Sequence, residues 1–295
     1  MLLKFISIAF IILMPLTAGA SEPSTSEEVF SSRPSAVERG DEAWALRHQG
    51  AQGARAASQP VATAVAAYEE ALAADPSDLE ATWKLLRAYH FKGDYTTADR
   101  DKKKEIFGRG GEVAEAAMNL MARRVGGRKA FDEMPPAELA GKFPEPEVPL
   151  VFHWATANWG LWGEAFGKVA AARQGVAGKI RRYTAVVIAM APQIEDGGGY
   201  RFLGRLHSEA PKIPLITGWI DREQALDLLG KAVEINPNDP YNRLYLADAQ
   251  RRFDKEAKAE AMAELKTLSS LEPRSPKKVE DLWVRDEARR ILDAE

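Results

Sequence analysis

Ala64-Val65-Ala66-Ala67-Tyr68-Glu69-Glu70-Ala71-Leu72-Ala73-Ala74-Asp75-Pro76 sets a small residue, a bulky one, a second small one and a proline at offsets 0, 4, 7 and 12. The same offsets recur at Ala225, Leu229, Ala232 and Pro237, and again at Ala261, Leu265, Leu268 and Pro273, where leucine replaces the second small residue. Steps of four and then three residues keep these side chains on one stripe of an α-helix. Small residues let a second helix approach closely, and the proline stops the helix from running on. From Ala43 onward apolar residues keep three- and four-residue spacing, and no alternation of β-branched and polar residues competes with it. The chain is therefore predicted to be all-α.

The residues beyond two of the prolines extend the pattern. After Pro76 come Trp83-x-Leu85-x-x-Ala88-Tyr89, then Lys92-Gly93-Asp94-Tyr95 as a turn, then Ala98 as the next small position. After Pro237, Asn238-Asp239 reads as a helix cap, and Leu244, Leu246, Ala247 and Ala249 form a further apolar stripe. This is the spacing of the tetratricopeptide repeat, and the predicted architecture is a degenerate tetratricopeptide helical array, an α-solenoid. An opening member at Asp41-Glu42-Ala43-Trp44 is separated from Ala64 by an insertion, Gly50 to Gln59. Helix pairs of this kind bury their apolar faces only by stacking, so the middle of the chain must also be helical. Met134-Pro135-Pro136 through Pro144-Glu145-Pro146-Glu147-Val148-Pro149 reads as a surface linker. The expected organisation is N-terminal repeats at 37–133, a Pro-rich linker at 134–150, central helices with a Gly-rich loop at 151–217, and C-terminal repeats at 218–295.

The segment Val151 to Gly167 holds three of the seven tryptophans. On a helix Val151, Ala155, Trp159, Trp162 and Phe166 share a face, beside a stripe of Gly160, Gly163 and Gly167. Two readings stand together: tight helix packing around core tryptophans, or an apolar cavity lined by Trp154, Asn158 and Trp162 with the amide as its polar anchor. A second helix is expected over Ala177 to Ala191. The run Asp196-Gly197-Gly198-Gly199 lacks the preceding strand and following Lys-Ser/Thr of a phosphate-binding loop, and reads as a loop turning back into a helix with Leu203 and Leu206. Gly108-Arg109-Gly110-Gly111 fails the same test.

Composition narrows the function. Forty Lys and Arg against 43 Asp and Glu leave no basic excess for a phosphate backbone, so no nucleic-acid partner is expected. The absence of cysteine removes disulfides, thiolate metal sites, cysteine nucleophiles and a lipid-modified N-terminal cysteine. His48, His90, His153 and His207 are scattered without an i,i+4 metal pair, and no Gly-x-Ser-x-Gly elbow is present. Arg100-Asp101-Lys102-Lys103-Lys104-Glu105 reads as a solvated face. No enzyme activity, metal or cofactor is expected. At the N-terminus Lys4, the apolar run Phe5 to Leu16 and Ala18-Gly19-Ala20 form a secretory signal cleaved after Ala20, too short for the ~20 apolar residues of a membrane span. Residues 21–36 read as a polar, disordered leader. Cleavage removes Lys4 and leaves 39 positive against 43 negative charges, a net of −4. The expected address is the periplasm.

The ordered set Gly40-Asp41-x-x-Trp44-Ala45-x-Arg47, the Ala64–Pro76 helix, Leu85-x-x-Ala88-Tyr89, Lys103 to Gly110 with Ala114, Ala116 and Ala117, Trp154-Ala155-x-Ala157-x-Trp159-Gly160-x-Trp162, and Tyr200 to Gly204 with Pro211 and Ala225 resembles the T-component family of tripartite ATP-independent periplasmic (TRAP) transporters. The resemblance implies an all-helical homotrimer built from degenerate tetratricopeptide repeats. It also implies binding to the transporter's solute-binding protein and to a small apolar ligand, with Trp154, Asn158, Trp159, Trp162, Tyr200, Arg201 and Arg205 as candidate cavity residues. The chain departs from the family in having no cysteine after its signal, and in carrying Pro214-Leu215-Ile216-Thr217-Gly218 where members often carry Gly-Gly. The alternative is a periplasmic tetratricopeptide scaffold holding a peptide or protein in its groove. A hydrolase with paired carboxylates is a third class, and no such pair is visible in the sequence.

Overall fold

A computed structural model describes residues 34–214 and 216–295, which form one compact unit. The proposed signal peptide and most of the leader lie outside the described residues. Among those described, fourteen α-helices account for the regular structure, with no β-strand beyond an isolated Gln52–Arg55 bridge. The all-α expectation is met.

Local chemistry sets the helix ends. Helix α1 (Ala36–Ala45) opens on a capping box, with Ser35 Oγ accepting from the Glu38 amide at 3.1 Å and Glu38 accepting from the Ser35 amide at 2.7 Å. Helices α2 (Ser58–Ala74) and α3 (Leu79–Tyr95) are joined by Asp75-Pro76-Ser77-Asp78. Helices α11 (Arg222–Ile235) and α12 (Pro240–Phe253) are joined by Asn236-Pro237-Asn238-Asp239. The proline disfavours helical backbone at the residue before it. Asp75 accordingly sits at φ −136°, ψ 96° and Asn236 at φ −140°, ψ 95°. In each turn the first side chain accepts from the amide two residues on, at 2.8 Å in one and 3.0 Å in the other. The closing aspartate then caps the next helix, Asp78 at 2.9 Å and Asp239 at 3.1 Å. Two segments separated by 161 positions, Asp75 to Asn236, thus repeat the same turn atom by atom.

The predicted stripes are buried: Ala64, Tyr68 and Ala71 on α2, Ala225, Leu229 and Ala232 on α11, and Ala261, Leu265 and Leu268 on α13 (Lys258–Leu268). Successive helices pack on one another at both ends of the chain, from α1 through α4 (Arg100–Arg124) and from α10 (Ile194–Glu209) through α14 (Lys278–Asp293). Between α4 and α10 lie the short helices α5 (Arg128–Glu133), α6 (Pro136–Ala140) and α8 (Lys168–Arg173), and the long α7 (Val148–Phe166) and α9 (Val176–Met190).

Several local expectations are corrected. The Pro-rich segment is no surface linker: α6 starts on Pro136, which lacks only an amide that a first helical turn leaves unbonded anyway. Leu139, Phe143 and Val148 from it join the largest hydrophobic cluster. Lys92 to Tyr95 is the last turn of α3 rather than a loop, with Gly93 lying where a Cβ would meet the Phe107 ring at 2.4 Å. The central helix ends at Gly167 (φ 90°), and of the glycine stripe on α7 Gly160 faces open space. Asp196 to Gly199 is no open loop: only Glu195, Asp196 and Gly197 leave helical backbone, and Gly198 and Gly199 are buried in α10. The charged run of α4 is not wholly solvated, since Arg100 Nε donates to the Ala165 carbonyl at 3.1 Å.

The two ends of the array meet. Arg47 after α1 donates to the Pro276 carbonyl at 2.9 Å and pairs with Glu280 of α14 at 3.5 Å. Val279 is buried in the N-terminal cluster with Ala43, Tyr89 and Phe91. The Tyr95 hydroxyl of α3 shares a hydrogen bond with Tyr241 of α12, whose hydroxyl also reaches the Glu280 carbonyl at 3.3 Å.

Two glycine substitutions test the packing. In Gly204→Ala the new Cβ meets Leu229 Cγ at 2.7 Å and the Leu229 backbone nitrogen at 3.1 Å, so overpacking should destabilise the protein by about 1–3 kcal/mol. Gly160→Ala meets nothing within 4 Å and should stabilise by roughly 0.5–1 kcal/mol through helix propensity. Urea denaturation midpoints of the two variants should move in opposite directions.

Candidate functional site

Helix α7 is the element from which the site is built. Its middle is enclosed by α3, α4, α9 and α10, and Asn158 is completely buried. The Asn158 Nδ2 group donates to the Leu86 carbonyl of α3 and the Trp154 carbonyl of its own helix, both at 2.8 Å. Two carbonyls fix the amide orientation, which turns Oδ1 onto Gly110 of α4, where a Cβ would stand 2.2 Å away. Asn158 is thus a brace between three helices.

The other predicted residues separate into groups. Trp159 is buried, with Lys179 Nζ of α9 3.5 Å from its ring centroid. Trp162 stacks on Phe166 at 4.2 Å and 13°, and both tryptophans pass Gly111 of α4. Tyr200 lies elsewhere, its ring 5.8 Å from Lys231 Nζ of α11. Trp154, Arg201 and Arg205 come together on one wall. Trp154 packs edge-on against His90 of α3 at 5.4 Å and against His153 at 5.0 Å. Arg201 and Arg205 project from α10 into the same electrostatic neighbourhood as His90.

Both arginines already have partners. Arg201 donates to Asn242 Oδ1 at 2.7 Å and to the Glu195 carbonyl at 3.2 Å, with Asp239 at 3.5 Å. It locks the start of α10 to the start of α12. Arg205 donates to the Tyr245 hydroxyl at 2.8 Å and pairs with Glu164 of α7 at 3.3 Å. Burial pushes the Tyr245 phenol up to about 12 and raises Asp94, against the attraction of Lys103. Burial, with Arg205 and Arg201, pushes the His90 imidazole down to about 4, and burial and Arg201 hold His153 well below the ordinary histidine value. The wall is therefore aromatic and hydrogen-bonding, with neutral imidazoles. Beside it, between α7 and the start of α4, a cleft of about 260 Å³ is lined by Arg100, Lys103, Phe107, Leu161 and Glu164. Among the described residues no three His, Asp or Glu side chains are placed to hold a metal ion.

In the sequence His90 is one of four scattered histidines, and Tyr95, Tyr241 and Tyr245 are not among the candidate cavity residues. Tyr241 and Tyr245 stand at helical i,i+4 spacing, as do His90 and Asp94, and that spacing was the available signal. Which face of each helix points inward is set only by the meeting of the two ends.

This geometry yields two measurements. Asn158→Ala should lower stability by about 1–3 kcal/mol, the cost of removing a buried hydrogen-bonded group, read as a fall in the melting midpoint. The His90 imidazole should remain neutral in NMR titration until about pH 4. Its folded value lies below the ordinary 6.5, so its contribution to stability is complete above pH 6.5 and is lost as pH falls from there towards 4.

No protein-family model matches the chain, and no curated protein matches it in sequence.

Proposed function

We propose that the chain is the auxiliary T component of a TRAP transport system. In this reading it is a non-catalytic periplasmic protein that assembles as a homotrimer, binds the system's solute-binding protein and handles a small apolar ligand. The observation that carries the reading is α7. A plain stack of tetratricopeptide pairs has no use for a tryptophan-rich helix at its centre, whereas Trp154, Trp159 and Trp162 occur here in the order that resembles the T-component family. The wall formed by Trp154, His90, Arg205 and Tyr245 supports a binding role, because concave sites pair aromatic surface with a few placed polar groups. Among the described residues no helix is long and apolar enough to cross a membrane.

A second reading, a scaffold that grips an extended peptide, is favoured by the Tyr245 hydroxyl, which accepts from Arg205 and keeps its own proton to donate to a main-chain carbonyl. Native mass spectrometry of the mature protein from its own periplasm separates the two. A trimer carrying a solute-binding protein is the expected result. A bare monomer overturns the transport reading and leaves the scaffold.

A further inference from the structure

Three of the four large hydrophobic side chains that stand exposed among the described residues, Val169, Ile213 and Ile216, come from two segments of the surface. The first is α8, none of whose residues is buried. The second is the loop between α10 and α11, and its exposure is built in. Thr217 is buried and closes the loop, its hydroxyl donating to the Pro211 carbonyl and accepting from the Ile213 amide at 2.9 Å. Ile220 is buried as well, while Ile213 and Ile216 are 39% and 53% exposed. A loop held by its own hydrogen bonds thus turns a threonine inward and two isoleucines out, the reverse of what burial alone favours.

The same segments are basic. The chain has no acidic residue between Glu164 and Glu195 and none between Glu209 and Asp221, while these two stretches hold six Lys and Arg. Two of the six are used internally: Lys179 pairs with Glu115 at 3.3 Å, and Arg182 donates to the Met134 carbonyl at 2.8 Å. The side chains of Lys168, Arg173, Arg181 and Lys212 form no ion pair or hydrogen bond among the described residues, and all four residues are exposed. The bordering acids are occupied elsewhere, Glu164 by Arg205 at 3.3 Å, Glu209 by Arg252 at 2.5 Å and Asp221 by the first amides of α11.

The two segments meet on α9. The Arg181 guanidinium lies 4.6 Å from the Trp219 ring centroid, which fixes the end of the loop against the helix. Gly175, Gly178 and Arg181 follow one another along the exposed side of α9, and a Cβ on either glycine would meet nothing within 4 Å. At 1.5 Å per residue, only about 9 Å of bare helix separates the end of α8 from the Trp219 contact.

We propose that α8, the exposed side of α9 and the loop from Pro211 to Trp219 form one docking surface for an anionic lipid bilayer, the three aliphatic side chains entering the headgroup layer and the four free cations meeting its phosphates. A basic surface with apolar side chains standing up from it matches such an interface, where buried apolar area and attraction to anionic lipid add together. Trp219 contributes an amphipathic ring of the kind enriched where one end is apolar and the other wet. A protein partner fits this face less well. Protein interfaces are anchored by side chains packed into pockets, and the clefts of about 260 and 170 Å³ are lined by other residues. A fluid headgroup layer needs no matching shape. The surface lies within one chain and does not rest on the transport reading.

Co-sedimentation of the purified mature protein with vesicles tests the surface. The protein should pellet with vesicles of mixed phosphatidylglycerol and phosphatidylcholine, should stay in solution with phosphatidylcholine alone, and should be released from the mixed vesicles by added salt. Lys168→Ala with Arg173→Ala should weaken binding roughly thirtyfold, two charges at about 1 kcal/mol each. Ile213→Ser with Ile216→Ser should weaken it by at least about tenfold. All four positions are exposed, so circular dichroism and the melting midpoint should stay at the parent values. Failure to pellet with the anionic vesicles overturns the proposal, as does equal pelleting with both kinds or full binding by either double variant. A parent protein that ignores vesicles, with an isoleucine variant that loses the solute-binding protein in native mass spectrometry, would assign the face to a protein partner and overturn it too. A parent that pellets with anionic vesicles but carries no solute-binding protein would sink the transport reading and leave this one standing.

Discussion

Helix α7 has almost no face that can be left in water. Val148, Val151, Phe152, Ala155 and Trp159 are buried, and so are the polar His153, Thr156 and Asn158 that stand between them. A helix that is apolar nearly all round must be covered nearly all round, and α3, α4, α8, α9 and α10 do this here. The coverage comes at close range because glycines are set opposite its bulky or polar side chains: Gly110 against Asn158, Gly111 against Trp159 and Trp162, and Gly198 against His153. The small-residue positions that matter lie mainly on the neighbours and less on α7 itself.

That central packing determines what the ends of the chain can do. Because α3 and α10 both lean on α7, the repeats that continue from them are brought round towards each other. The contact between them is made by side chains of mixed character. Val279 enters the N-terminal core, Arg47 donates to the Pro276 carbonyl between α13 and α14, and Tyr95, Tyr241 and the Glu280 carbonyl form a short hydrogen-bonded chain. The inward-facing side chains of α3, α7, α10 and α12 thereby share one low-dielectric neighbourhood. Imidazoles are kept neutral and phenols protonated in it, while Arg201 and Arg205 are hydrogen-bonded to close partners. Arg201 serves two ends at once, joining α10 to α12 and holding the strained backbone of Glu195.

The all-α class, the three periodic helices and the Asx-Pro turns were legible in the sequence because each depends on neighbours within a few positions. A proline disfavours helical backbone at the residue before it, and an aspartate caps the helix that comes after it. The stripe at offsets 0, 4 and 7 can be buried only on one side of a helix. Local chemistry of this kind also located the central tryptophan-rich helix and its importance to the core.

Only the tertiary structure decided which of the candidate residues act together. Trp154, Asn158, Trp159 and Trp162 are at most eight positions apart, yet a turn of 3.6 residues sends them to different neighbours. The result is a brace, two core indoles and one wall residue. The Pro-rich stretch looked like a linker because proline weakens helices, but Leu139, Phe143 and Val148 gain more from the core than the helix loses. Tyr95 and Tyr241 are 146 positions apart, and nothing local in either sequence neighbourhood foretells the other. Their hydrogen bond, and the left-handed backbone that Arg201 and Asn242 hold at Glu195 and Asp196, exist only because helices distant in sequence are packed around one buried helix.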